Sequence, residues 1–142
     1  MLLSIRDYFR ATGADSVAAL GAAATNSSNP NNAFREAAGH ALAAIHTSAA
    51  LPFLATLLDD SDLNLRVEAV GGMGAFANGL PTQTKAGVPS LSYLQLPASA
   101  PYKTAATAAN LAFGVQAVTA NEASYLLFWK SWWSQNRGSM GY

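Results

Sequence analysis

The chain has 142 residues, 51% of them apolar and 11% charged, with eight Lys/Arg against eight Asp/Glu. That balance excludes a disordered tail and a charged coiled coil, and it leaves no basic excess to build a nucleic-acid face. Cysteine is absent, which removes disulfides, zinc–thiolate sites and cysteine nucleophiles.

Residues 1–10 carry charges where a signal peptide needs its apolar run. No stretch approaches the ~18 unbroken apolar residues of a membrane span. A cytoplasmic location is therefore the default expectation and a membrane role is not expected, although the chain could also belong to a longer, exported protein. Residues 2–11 form a short amphipathic pattern with Leu2, Ile5 and Phe9 on one side. Gly13 follows as a helix stop. This element, residues 1–12, reads as the second half of a helix pair.

Residues 13–46 hold the first full pair. A helix over 15–25 is capped near Asp15 or Ser16, with Val17, Leu20 and Ala24 as its apolar line. An Asn/Ser/Pro turn follows. The helix over 32–46 then places Phe34, Ala38, Ala41, Leu42 and Ile45 on one face. Residues 47–77 hold the second pair. Thr47 or Ser48 caps a helix striped by Leu51, Leu54, Ala55 and Leu58, with Pro52 in the first turn, where its missing N–H costs nothing. After the turn at 59–62 comes a helix with Leu65, Ala69, Val70, Met73 and Phe76 inward, ended by Asn78 and Gly79.

Residues 78–99 break this rhythm with proline and glycine. Loops of that length are uncommon in compact domains and tend to be functional or mobile. Helix is expected again from 101 to about 118. Thr119 and Glu122 have capping-box spacing at the start of the last helix. Together these make residues 100–135 an atypical C-terminal pair, and the polar tail at 136–142 is expected to fray.

The helices led by Arg35 and Arg66 align at an offset of 31 residues, matching Leu42 with Met73 and Ile45 with Phe76. Repeats of this size include tetratricopeptide and ankyrin units, but neither signature is present. Instead, Ala50 to Arg66 reads Ala-Leu-Pro-x-Leu-x-x-Leu-Leu-x-Asp-x-Asp-x-x-Leu-Arg. This resembles the short HEAT-like repeats of bacterial proteins, with the resemblance covering residues 13–77. In that family an aspartate in the inter-helix turn and an arginine six residues on form a ladder between neighbouring repeats. Asp60 and Arg66 match both positions; Asn29 and Arg35 match with the acid replaced by an amide. The resemblance implies an all-α, right-handed α-solenoid of about three helix pairs. The aromatic run ending the last helix is similar to tryptophan-rich ends of some bacterial HEAT-like proteins.

Other motifs are weaker than the repeat that contains them. Asp60, Asp62 and Asn64 copy three ligand positions of a calcium loop, but Leu65 stands where glycine is needed and Gly71 where the bidentate glutamate is needed. Glu36 and His40 lie one turn apart with His46 beyond, which is not a His-Glu-x-x-His site. Gly71, Gly72 and Gly74 follow no strand and precede no Gly-Lys-Ser/Thr, so they read as close-packing residues or a kink. No nucleophile elbow occurs. No catalytic residue, metal or cofactor is expected. Trp129, Trp132 and Trp133 cannot share one face, since neighbours on a helix are about 100° apart. Trp129 and one other are expected to cap the end of the core.

The expected function is a non-catalytic protein–protein scaffold or adaptor. Its candidate contacts are Arg35, Glu36, His40, Arg66 and Glu68 on the second helices, with Gln83, Lys85 and Tyr93 in the loop. Arg35 and Arg66 could instead be consumed by the ladder. Exposed solenoid ends leave room for a homo-oligomer. The alternatives are an accessory part of a bacterial lyase or DNA-repair glycosylase, and the C-terminal piece of a larger repeat protein.

Overall fold

The computed structural model describes residues 16–77 and 122–142. Five α-helices carry these residues, with short 3-10 turns between and after them and no strand among the described residues. Expectations for residues 1–12, the 78–99 loop and the helix from 101 to 118 lie outside the described residues.

Helix α1, Val17–Thr25, buries Val17, Leu20, Gly21 and Ala24, the spacing of a single helical face. The chain leaves it through Asn26, whose side chain accepts the Ser28 N–H. Helix α2, Asn32–Ile45, starts where the Asn31 side chain accepts the Phe34 N–H at 3.1 Å, satisfying one of the donors a helix start leaves over. It stops at His46, which takes the left-handed conformation with φ 55°, the usual way to end a helix sharply.

Thr47 is extended and makes no side-chain cap, contrary to the cap expected there. The chain instead enters a 3-10 turn at Ser48–Ala50, which runs into α3, Leu51–Leu57, with Pro52 in the first turn. Helix α4 spans Leu63–Ala77 without interruption, and Gly72 within it lies against Ala43 and Leu54. Asp62 caps it, accepting the Asn64 and Leu65 N–H groups at 2.8 and 3.3 Å. Helix α5, Glu122–Asn136, is followed by a 3-10 turn at Arg137–Met140. The tail that should fray is thus wound up. The Tyr142 N–H donates to the Arg137 carbonyl at 3.0 Å, and the Tyr142 ring lies 5.7 Å from that of Trp133.

Helix α1 packs on α2 and α3, α2 packs on α4, and α3 packs on α4, while α5 rests against α3 and α4. Leu42, Leu51, Leu54, Leu57, Leu65 and Met73 fill the space between them and are sealed from solvent together with Trp129. Each such leucine contributes about 1.5–3 kcal/mol by burial.

Small residues set the distance between α2, α3 and α4. A Cβ added to Gly72 would stand 2.9 Å from the Ala43 Cα and 2.8 Å from the Leu54 Cδ1. The backbones of α2 and α4 therefore approach closer than any side chain at 72 allows. Gly39 leaves the corresponding gap on α2 for Leu65, whose Cδ2 would be 2.6 Å from a Cβ there.

One expected core residue is outside. Phe34 is 53% exposed, and Arg35 beside it is 3% exposed. The buried stripe of α2 runs through Arg35, Ala38, Gly39, Leu42 and Ile45, one residue away from the one expected at its start, a rotation of about 100°.

Candidate functional site

The two Asx turns that introduce α2 and α4 are built alike. In the first, the Asn29 Oδ1 accepts the Asn31 N–H at 2.9 Å and Asn31 caps the helix. In the second, the Asp60 Oδ1 accepts the Asp62 N–H at 2.9 Å and Asp62 caps the helix. The Arg35 N–H donates to the Asn31 carbonyl and the Arg66 N–H to the Asp62 carbonyl, each at 3.2 Å. Side-chain oxygens thus fold each turn locally, and both turns aim an arginine in the same way.

These arginines tie successive elements together. The Arg35 guanidinium forms an ion pair with the Asp60 Oδ2, and its Nε donates to the Ala24 carbonyl at 3.2 Å. Arg35 is buried and Asp60 largely covered, with side chains 3% and 9% exposed. Asp60 therefore serves its own turn through one oxygen and the preceding helix pair through the other. Arg66 donates to the Asp60 and Ser61 carbonyls at 2.8 and 2.9 Å and pairs with Glu122 at the start of α5. A single relay of guanidinium and carboxylate groups runs from α1 to α5. Asn29, the amide in the acid position of the first turn, bonds within that turn.

No family model matches the chain, and no curated protein or solved structure matches it.

The relay takes up two of the candidate contacts, Arg35 and Arg66. Arg35 is enclosed, so it cannot meet a partner. Arg66 is mostly covered and holds three acceptors. The His40 Nδ1 lies 2.8 Å from the Glu68 Oε1, bridging α2 to α4. Glu36, His40 and Glu68 are all part-exposed and remain on an outer face made by these two helices. Gln83, Lys85 and Tyr93 lie outside the described residues. No group of three or more His, Cys, Asp or Glu residues has metal-binding geometry among the described residues.

The aromatic end divides as helical geometry requires. Trp129 is fully enclosed, edge-on to Phe128 and Trp132 with ring centroids 4.9 and 5.5 Å away. Trp132 also meets Phe76 edge-on at 6.5 Å, joining α5 to α4. Trp133 is partly exposed and turns toward Tyr142. Sequence reading missed Glu122 as the acid facing Arg66. The only signal was its place three residues after Thr119, which points equally well to a cap.

Proposed function

We propose that the chain is a HEAT-like solenoid module without catalytic function, and that it binds a protein partner through the outer face of α2 and α4. The observation that supports this most directly is the repeated turn. Two Asx turns 31 residues apart in sequence, Asn29 against Asp60, make the same capping bonds, and each sends an arginine toward an acid of a later element. A relay that fastens one helix pair to the next is what stacked units need, because each pair has an apolar face it cannot bury alone.

The face left over is polar, with Glu36 beside the His40–Glu68 bridge. Such a face suits recognition of another protein surface better than enclosure of a small substrate. The test is affinity capture with the tagged chain against the triple variant Glu36→Ala, His40→Ala, Glu68→Ala. A partner captured by the parent should be lost by the triple variant at unchanged thermal stability. Equal capture by both would remove the α2/α4 face from the reading. The variant Lys85→Ala, Tyr93→Ala measures any share of the 78–99 loop in the same assay.

A further inference from the structure

An open cleft of about 430 Å3 lies between α3 and the C-terminal segment, a volume within the range of ligand sites. Pro52, Ala55 and Leu58 line it from the α3 side, and Lys130, Trp133, Arg137 and Tyr142 from the other. The aromatic wall is a tilted pair, with the Trp133 and Tyr142 rings 5.7 Å apart at 46° and Tyr142 49% exposed.

Both described cations that lie outside the relay line this cleft. The described residues include four Arg/Lys: Arg35, Arg66, Lys130 and Arg137. The first two are held in the relay; the other two both line the cleft. Lys130 pairs with Asp59, also on the lining, in a contact whose side chains are 43% and 73% exposed, so water and salt weaken it. Arg137 is exposed and has no side-chain ion pair or hydrogen bond among the described residues. Among the side chains that line the cleft, two cations stand against one carboxylate.

A guanidinium without an acid, next to the tilted aromatic pair and an aliphatic wall, matches a carboxylate joined to an apolar side chain. The geometry points to this cleft as the docking site for a short acidic segment of a protein partner. Its carboxylate is held by Arg137 with Lys130 at its flank, and its neighbouring aromatic or leucine side chain lies against Trp133 and Tyr142. This rests on the reading of the chain as a binding module but uses a different surface from the α2/α4 face.

The test is fluorescence polarisation on the full chain, with fluorescein-labelled hexapeptides carrying Glu-Phe, Phe-Glu, Asp-Leu or Leu-Asp in a Gly-Ser background. At least one should bind saturably. Its affinity should fall about tenfold when the acid becomes its amide, since a charge-assisted bond is lost. Arg137→Glu should cause a similar loss, and Lys130→Glu a smaller one. Replacing the acid by lysine in the peptide should restore part of the binding to Arg137→Glu. Both protein variants are at exposed positions, and unchanged circular dichroism melting shows that they fold. Absence of saturable binding across the panel would overturn the proposal, as would equal affinity for acid and amide peptides. Binding lost with Glu36→Ala, His40→Ala, Glu68→Ala but kept with Arg137→Glu would move the site to the α2/α4 face. Capture lost in that triple variant, with no peptide bound, would leave the outer-face reading standing and the cleft without a role.

Discussion

Asp60→Ala is the substitution that the relay makes most costly. It removes the carboxylate from Arg35, whose side chain is 3% exposed and keeps only the Ala24 carbonyl as an acceptor. Losing one partner of a buried ion pair costs about 3–5 kcal/mol, because the remaining charge stays out of water without compensation. The turn also loses the bond from Asp62 N–H to the Asp60 Oδ1. With a urea m-value of about 2 kcal/mol/M, this lowers the unfolding midpoint by about 2 M. Urea titration followed by tryptophan fluorescence and by circular dichroism at 222 nm reads the shift directly. The neighbouring variant Asp59→Ala is the control, since its pair with Lys130 is exposed and worth about 0–1 kcal/mol. If Asp60→Ala costs no more than Asp59→Ala, the relay does not hold the helix pairs together and the argument from burial fails.

Gly72→Ala should destabilise by about 1–3 kcal/mol by overpacking against the Ala43 backbone, despite a helix-propensity gain of about 1 kcal/mol; thermal melting decides the sign. Glu122→Ala should cost about 1 kcal/mol in urea, less than Asp60→Ala, because Arg66 retains the Asp60 and Ser61 carbonyls and the pair is partly wet. Trp129→Ala should cost about 3–5 kcal/mol through the cavity it leaves. Trp129→Phe should cost less, since the buried indole N–H has no hydrogen-bond partner among the described residues; parallel urea titrations compare the two.

Helix content was legible wherever apolar residues kept one phase. Val17, Leu20 and Ala24 are buried as their spacing required, and so are Leu51, Leu54 and Leu58. Phase failed at the start of α2, where a phenylalanine and an arginine are neighbours and hydrophobicity assigns the wrong one to the core. Arg35 goes in because a carboxylate 25 residues later meets it, and a contact at that range leaves no local pattern. The Asx turns were readable because Asn and Asp act on their own backbone. Tyr142 resting on Trp133 was not, because the glycines and polar residues of the tail suggested a frayed end.

The relay also bears on the order in which the molecule assembles. Its first ion pair closes a separation of 25 residues, its second one of 56. The longer closure costs only about 0.7 kcal/mol more in chain entropy, so distance hardly affects the final stability. Timing is another matter, since contacts between near neighbours form sooner than distant ones. Arg66 is held by two carbonyls of its own turn, contacts of five and six residues in sequence. A guanidinium positioned by such local bonds is pre-set for Glu122, so pairing with the last helix orders chiefly the glutamate side chain.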